Sequence, residues 1–442
     1  MEIDGRRDDS LAYSKARVNA ADIRPAAPAE QTQSTLDLFL IFVGANVVAT
    51  TFQVGASLSS SFSLAPTLAL VAVGTVAGAA LVAALAPLGP RLRVPSIVAA
   101  RPALGFAGAG LVAVVLYVSN FAWIALNNVI AASACARVGA AWMGPAAGSQ
   151  TAWAIVLGLL ATFVVWLGPR AVARADRIAV PSMVVVAVAL TVACARASAQ
   201  PAAAPESAMS WWRGLDVVIG YQVSWILMFA DYSRYTRSVR GSAIAVFLGL
   251  AITSAWMMPL GAIAARAAGT SDPGAMLSAV GLGAAGALML TLATLTTNFV
   301  NIYMSSLAWK SIAPGASDAA VIWSIGIVGT ALSAVPGVWL EQYTNFMIIL
   351  GALLVPVGGV LIAHYYIRPP RVDEALIAEL YDPAGTFRGI SIAGLSGWAA
   401  GVAAFFAAGS IGGTLPALAT SVLVYWGLQG RRSAVIDPST PA

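Results

Sequence analysis

The chain has 442 residues, of which 59% are hydrophobic and 10% are charged, and its mean hydropathy is +0.82. Soluble proteins carry roughly a quarter charged residues, so this composition excludes a soluble globular protein and predicts a polytopic membrane protein. The net charge of +5 does not indicate a nucleic-acid partner, because the positive charges lie in short loops between apolar runs.

Apolar runs long enough to cross a bilayer, roughly 17 to 25 residues each, recur along the chain. We number them as spans 1 to 12; they lie near residues 37–58, 64–86, 106–135, 152–168, 178–196, 214–232, 242–266, 283–309, 319–337, 343–366, 389–408 and 411–428. The sequence therefore predicts an all-α protein of twelve transmembrane helices.

The basic residues indicate the orientation of these spans. Twenty of the 24 lysines and arginines fall in the two tails and in every second loop, and four fall on the opposite side. Because cytoplasmic loops carry the excess of Lys and Arg, both termini are predicted to be cytoplasmic, in the plasma (inner) membrane. A miscounted span would have scrambled this alternation.

The chain divides at its tails and at one long inner connection. Residues 1–35 are polar and predict a disordered cytoplasmic tail, and 429–442 form a second cytoplasmic tail. The cytoplasmic loop 367–388 separates a ten-helix core at 36–366 from two further helices at 389–428. With tails of this size, we predict no soluble domain.

Span 1 contains polar residues between two glycines. Gly44 and Gly55 bracket Asn46, Thr50 and Gln53, and such an interruption is typical of a discontinuous helix that offers backbone groups to a substrate or an ion. Span 6 has the counterpart, with Gly214 and Gly220 before a polar cluster. Two broken helices five spans apart indicate an inverted five-helix repeat. The alternative is that glycine lets helices approach closely.

Span 3 carries amides and an indole along one helical stripe. Asn120, Trp123 and Asn127 stand at i, i+3 and i+7, and Asn128 lies one step round. An aromatic ring for stacking and amides with a donor and an acceptor each would suit a planar heterocycle. The alternative is that the asparagines bond neighbouring helices together.

Span 6 repeats this combination. Tyr221, Ser224 and Trp225 stand at i, i+3 and i+4 and so would share one helix face. Two aromatic planes with a hydroxyl between them predict a surface for a flat polar molecule. Alternatively, Ser224 bonds back to its own helix and the aromatic rings pack against neighbours.

Span 8 is dense in polar side chains. Thr294, Thr297 and Asn301 lie along one face, with Thr296 and Asn298 beside it. Adjacent hydroxyls together with backbone carbonyls can form a Na⁺ site, or the hydroxyls can satisfy the carbonyls four residues earlier.

The ionisable residues of the spans do not form a catalytic set. Asp231 lies one turn from Arg234 at the cytoplasmic end of span 6, which favours pairing over proton transfer, and His364, the sole histidine, ends span 10. The sequence has no phosphate-cradling loop, metal-ligand cluster or activated nucleophile. We therefore predict that the protein is not an enzyme and needs no cofactor apart from a coupling ion.

Six segments together resemble the nucleobase:cation symporter-1 family of cytosine, purine-cytosine, hydantoin and allantoin transporters. They are VGANVVATTFQVGASL, VPSIVAARPALGFAGAG, SNFAW, SWILMFADYSRYTR, TTNFVNIYMSSL and LGALLVPVGGVLIAHYY, and they follow the family's order through the helical region. The resemblance implies a LeuT-like fold of five plus five inverted helices with two more, and alternating access around a site at the membrane midplane.

The resemblance also implies roles for individual residues. Trp123 matches the position whose indole stacks on the substrate, and Asn120 and Asn127 match positions with substrate-binding amides. Thr296 and Thr297 match the hydroxyl pair of a sodium site. Backbone carbonyls of span 1 near Gly44 and Val47 would complete that site.

The chain departs from several relatives nine residues before Asp231, where Gln222 replaces an aromatic residue. Tyr221 or Trp225 would then supply the second aromatic plane, or Gln222 would bond the ring edge. The full set of predicted substrate ligands is Asn46, Asn120, Trp123, Asn127, Tyr221, Gln222, Ser224, Trp225, Asn298 and Asn301.

The predicted function is import of a nucleobase or related heterocycle, of cytosine or purine type, driven by Na⁺ or H⁺. The alternatives are a sodium-coupled amino-acid transporter of the same fold and a non-transporting membrane sensor. A neutral ring needs stacking and amides, which favours the heterocycle, whereas a sensor would need a signalling domain. The sequence leaves the base, the ion and the oligomeric state open; its expected surroundings are the lipid bilayer.

Overall fold

The computed structural model describes residues 23–197, 209–367 and 369–433. Residues 1–22 of the predicted N-terminal tail and 434–442 of the predicted C-terminal tail lie outside the described residues. Within the described ranges the chain forms helices, with one isolated bridge between Gln33 and Thr236 and no β-strand. The prediction of an all-α protein is confirmed.

Each of the twelve predicted spans coincides with a helix or with a broken helix. In chain order these are α1 (Thr35–Asn46 and Ala49–Ser59), α2 (Leu64–Leu85), α3 (Phe106–Met143), α4 (Gln150–Trp166), α5 (Pro169–Ala197), α6 (Trp211–Val223), α7 (Val239–Ala268), α8 (Gly283–Ile312), α9 (Asp318–Leu332), α10 (Tyr343–Ile362), α11 (Ile392–Ala407) and α12 (Thr414–Ser433).

Not all twelve are long enough to cross a bilayer unaided. By length and composition, six described helices pass this test, and the two halves of α1 together make a seventh; α4, α9 and α11 are apolar but shorter. The main differences from prediction are in α3, which continues to Met143 rather than ending near residue 135, and in α5, which begins at Pro169 rather than near residue 178. The helix count agrees with twelve spans, and the chain is a multi-pass membrane protein.

Both predicted interruptions are present. α1 bends by 54° between Asn46 and Ala49. α6 ends as an α-helix at Val223 and continues as the 3₁₀ segment Ser224–Met228. Since the last carbonyls and first amides of a helix lack intrahelical partners, each break offers backbone groups inside the bundle.

The packing follows the pattern of an inverted repeat. α1 packs on α7 as α6 packs on α2, and α3 packs on α9 as α8 packs on α4. The pairs α3–α4 and α8–α9 correspond in the same way. The contacts are therefore preserved when helices 1 to 5 are exchanged in order with helices 6 to 10, which is expected when the two sets are copies of one unit.

Glycines allow the closest of these approaches. A Cβ at Gly55 of α1 would collide with the Met258 carbonyl of α7, and one at Gly261 of α7 would collide with the Phe52 carbonyl of α1. Gly44, by contrast, has no neighbour that a Cβ would meet. Close packing therefore explains the glycine at position 55. It does not explain Gly44, which lies two residues before the break in α1.

α11 and α12 pack on each other and on α10. Asp216 of α6 also fixes the start of α12, because its carboxylate accepts hydrogen bonds from the amides of Gly413 (2.8 Å) and Thr414 (3.1 Å) and from the Thr414 hydroxyl (2.7 Å). Asp216 is buried, and these three donors satisfy its charge.

Candidate functional site

The break in α1 is held in place by the side chain of Asn46. Its Nδ2 donates to the Thr253 hydroxyl at 2.7 Å and the Ser254 hydroxyl at 2.8 Å, both on α7, and its backbone carbonyl accepts from the Thr51 hydroxyl at 2.6 Å. The Val47 amide closes the last helical bond, to Val43. Asn46 thus fixes the direction in which the freed carbonyls of α1 point.

Tyr221 joins this break to the break in α6. Its hydroxyl donates to Asn46 Oδ1 at 3.1 Å and lies within hydrogen-bonding distance of the Thr51 hydroxyl. From α10, the Tyr343 hydroxyl donates to the Thr50 carbonyl at 2.7 Å. One buried polar cluster therefore connects α1, α6 and α10 at the centre of the bundle.

Three aromatic rings meet beside that cluster. The centroid of the Trp123 ring lies 5.9 Å from that of Tyr221 and 5.2 Å from that of Phe346. Both contacts are edge to face, with interplanar angles of 79° and 71°. Phe346 is partly accessible whereas Trp123 and Tyr221 are buried. The predicted residues Trp123 and Tyr221 are thus brought together from helices far apart in sequence.

Phe346 was not among the predicted site residues. It stands three residues after Tyr343 at the start of α10, and one further aromatic residue in an apolar run gives no signal of a site. The pairing of Tyr343 with Thr50 was equally unmarked in the sequence. Only the packing of α10 against α6 places Phe346 beside Trp123.

The other predicted residues of α6 face elsewhere. The Trp225 ring packs against Phe42 of α1, with centroids 5.8 Å apart, and the Ser224 hydroxyl donates to the Tyr221 carbonyl at 2.7 Å. The α-helix has already given way to a 3₁₀ segment at this point, so the α-helical spacing that predicted one shared face does not apply. Tyr221 and Trp225 contact different neighbours.

Gln222 is placed against α2. It is fully buried, a Cβ at Gly78 of α2 would collide with its Cβ, and neither of its amide atoms has a hydrogen-bond partner among the described residues. Since buried polar groups are normally paired, this amide is an unsatisfied group within the scaffold.

The amides of α3 bond to polar side chains of α8. Asn120 Nδ2 donates to the Ser305 hydroxyl at 2.9 Å, Asn127 Nδ2 to Asn298 Oδ1 at 3.3 Å, and Asn298 Nδ2 to Asn128 Oδ1 at 2.9 Å. The asparagines therefore do link helices.

Some of their hydrogen-bonding capacity remains unused. Asn127 Oδ1 and Asn301 Nδ2 are buried and have no partner in the described ranges. One is an acceptor and the other a donor. Asn127 lies one helical turn beyond Trp123, so its free oxygen is on the same face of α3 as the aromatic group.

The hydroxyl pair on α8 surrounds one carbonyl. Thr296 and Thr297 both donate to the carbonyl oxygen of Ala293, at 3.0 and 2.6 Å, and both are partly accessible. α8 also contacts both halves of α1. A hydroxyl that donates its hydrogen keeps its lone pairs, so back-bonding and cation binding by these oxygens are compatible.

The charged groups in the described ranges form no metal centre. Among the described residues no three His, Cys, Asp or Glu side chains cluster as a metal site would require. Asp231 accepts from the Ser96 amide at 3.2 Å and the Ser96 hydroxyl at 2.8 Å, which ties α6 to the α2–α3 connection. The hydroxyl oxygens of Thr296 and Thr297 are uncharged, and uncharged oxygen ligands suit a monovalent cation.

Comparison with known proteins extends these observations. The family of permeases for cytosine/purines, uracil, thiamine and allantoin matches residues 25–428. The chain is 26% identical to the cytosine permease of Escherichia coli K12 over 353 residues, which cover 78% of this chain and 81% of the relative.

The fold has solved counterparts. The nucleobase-cation-symport-1 transporter Mhp1 superposes with a TM-score of 0.78 in a closed, bromovinylhydantoin-bound conformation, at 16% identity and with 95% of this chain and 97% of Mhp1 covered. Its inward-facing conformation gives 0.80 at 17% identity, with 94% of each chain covered. The LeuT-like inverted-repeat fold is confirmed. With a family match across almost the whole chain, this protein belongs to the family of permeases for cytosine/purines, uracil, thiamine and allantoin, and it is a membrane transporter rather than an enzyme.

Proposed function

We propose that this protein is a secondary transporter that carries a nucleobase or related planar heterocycle together with a cation by alternating access. The observation that carries the proposal is the group of Trp123, Tyr221 and Phe346 beside two helix breaks. α3 and α8 add one amide acceptor and one amide donor that have no partner among the described residues. The family match and the cytosine permease relative support the same substrate class.

In this proposal the ring of the substrate stacks on Trp123 and is bounded by Phe346. Offset or edge contacts between aromatic rings contribute about 0.5–1.5 kcal/mol beyond burial. Asn127 Oδ1 and Asn301 Nδ2 would bond its polar edge. Tyr221 shapes the pocket through its ring, since its hydroxyl is already bonded to Asn46.

The proposed coupling ion is Na⁺, bound by the hydroxyls of Thr296 and Thr297 and by carbonyls of α1 near Gly44 and Val47. An ion bound there would join α8 to the broken helix α1. Asn46 of α1 also accepts a hydrogen bond from Tyr221. The ion would thereby favour the arrangement of α1 in which the substrate pocket is complete. A cation that stabilises the substrate-binding state gives coupled transport by linkage.

We further propose that the protein lies in the plasma membrane with both termini cytoplasmic, and that 36–366 forms the transport core while α11 and α12 are an added pair. The alternation of basic loops supports this orientation. A reporter that fluoresces only in the cytoplasm should be bright when fused to either terminus and dark when fused after Met143. The reverse pattern would overturn the orientation.

Uptake into proteoliposomes tests the function. We expect labelled cytosine or another base from a panel of uracil, adenine, hypoxanthine and allantoin to accumulate under an inward Na⁺ gradient, and a protonophore to have no effect. Accumulation that requires a proton gradient would replace Na⁺ by H⁺. If no base accumulates under either gradient while amino acids do, the substrate class is wrong.

A further inference from the structure

The structure contains a continuous chain of three amides that starts at the candidate substrate pocket and ends in the scaffold. Asn127 Nδ2 donates to Asn298 Oδ1, and Asn298 Nδ2 donates to Asn128 Oδ1. All three side chains are buried. The two atoms at its ends, Asn127 Oδ1 and Asn128 Nδ2, have no partner within the described residues.

Such a chain has two equivalent polarities. Each amide carries a donor and an acceptor, so turning all three amides over keeps both internal hydrogen bonds. The end groups are then exchanged: Asn127 offers Nδ2 instead of Oδ1 to the pocket, and Asn128 offers Oδ1 instead of Nδ2 to the scaffold. One amide cannot turn alone without placing two donors or two acceptors together.

The far end of the amide chain, at Asn128, can be paired in either polarity. The Thr330 hydroxyl of α9 is also buried and has no partner among the described residues. A Cβ at Gly158 of α4 would collide with both this hydroxyl and Asn128 Nδ2. Thr330 therefore lies next to Asn128. A hydroxyl can accept from Nδ2 or donate to Oδ1, so the scaffold does not select the direction.

From this geometry we propose that Asn298 and Asn128 are positioning residues that let Asn127 present either an acceptor or a donor to the substrate. Asn298 is then not a substrate ligand, because both of its amide groups are used within the chain. The transporter would accept bases whose oxo and amino groups are interchanged, such as uracil and cytosine. This inference rests on the proposed function, since it assigns the recognition of that same pocket.

An acidic substitution fixes the direction of the chain. In Asn298→Asp both carboxylate oxygens accept, so Asn127 must donate to residue 298 and keep Oδ1 in the pocket. Asn128→Asp imposes the same direction from the scaffold end, because a carboxylate at 128 requires Asn298 Nδ2 as its donor. Residue 128 is separated from the proposed substrate by two amides. A substitution there with a purely structural effect would leave the ratio of affinities for oxo and amino bases unchanged.

The experiment measures inhibition of uptake by two pairs of unlabelled bases, uracil against cytosine and hypoxanthine against adenine. We expect both variants to change the oxo-to-amino affinity ratio about tenfold and in the same direction, because the disfavoured base leaves a buried polar group unpaired. Gln150→Glu is the matched control, because the Gln150 amide donates to the Val129 carbonyl and takes no part in the chain of three amides. The oxo-to-amino affinity ratio of this variant should equal that of the parent.

Unchanged ratios in both variants, or changes in opposite directions, would overturn the proposal even if the parent protein transports bases normally. A parent protein that takes up no base would instead overturn the proposed function. If one variant fails to reach the membrane, the other still tests the direction of the chain. A shift with Gln150→Glu as large as that with Asn128→Asp would also contradict it, because it would show a general effect of an added acid.

Discussion

At the scale of single residues, Trp123 occupies the position on which the proposed pocket depends. Its ring is in contact with Tyr221 and Phe346, and the free oxygen of Asn127 lies one turn away. The aromatic and polar groups around it come from α3, α6, α8 and α10. A change at Trp123 should therefore affect substrate binding more than assembly of the helices.

Trp123→Ala is expected to abolish uptake while the protein still reaches the membrane, because the stacking surface is lost and a cavity remains. Trp123→Phe should retain part of the activity, with weaker apparent affinity. Uptake of the labelled base and membrane abundance should be measured together. Trp166→Ala, at a half-exposed tryptophan of α4, is the control; full uptake by Trp123→Ala would exclude this residue from the site.

Thr297→Val tests the proposed sodium site with almost no change in shape. Loss of the hydroxyl oxygen should raise the Na⁺ concentration for half-maximal uptake about ten- to a hundredfold, since loss of a contact to a charged group costs about 1.5–3 kcal/mol. Thr291→Val is the matched control, because Thr291 donates to the Ala287 carbonyl in the same manner, at 2.8 Å. Equal Na⁺ dependence in the two variants would argue against the site.

At the scale of helices, the two breaks and the close contact of α1 with α7 decide where the polar groups lie. Asn46 bonds to α7 and Tyr221 bonds to Asn46. Gly261 permits α7 to approach the Phe52 carbonyl. The position of the α1 break therefore depends on a glycine that contacts neither the proposed substrate nor the proposed ion.

Gly261→Val is expected to destabilise the protein by about 1–3 kcal/mol, because an added side chain must displace the backbone of α1. Its melting temperature in detergent should fall, and binding of the substrate should weaken with it. Gly427→Ala provides the comparison, since no atom lies within 4 Å of a Cβ at that position. Equal melting temperatures for the two variants would show that the α1–α7 contact tolerates expansion.

At the scale of the whole molecule, residues 23–33 connect three separate segments on one face, which is the cytoplasmic face in our proposal. The Ala26 amide donates to the Arg93 carbonyl at 2.7 Å and the Gln33 amide to the Tyr235 carbonyl at 3.0 Å. Gln31 Nε2 donates to the Pro90 carbonyl at 2.9 Å, and the Tyr381 hydroxyl donates to the Ile23 carbonyl. These bonds hold residues 23–33 against this face of the bundle.

Gln31→Ala combined with Tyr381→Phe should therefore favour release of residues 23–33 from this face, which exposes the backbone segment beneath them. Each lost bond contributes about 1 kcal/mol, so the two together should shift a two-state equilibrium about thirtyfold. The measurement is the rate at which a maleimide labels a cysteine introduced at the buried Val94, in a background with Cys135 and Cys194 replaced by alanine. Gln429→Ala, on α12, is the control; unchanged labelling in the double variant would show that residues 23–33 do not restrict access to residue 94.

The sequence by itself determined the membrane class, the twelve helical runs, the two broken helices and the pairing of Trp123 with amides on one stripe. These follow from hydrophobicity, length and helical period, which are local properties of the chain. It could not place Phe346 beside Trp123, Trp225 against Phe42 or Gln222 against Gly78. It also could not tell which amide atoms of Asn127, Asn128 and Asn298 remain unpaired. Those features depend on which helices become neighbours and on each hydrogen-bond partner across them, and only the tertiary structure decides that.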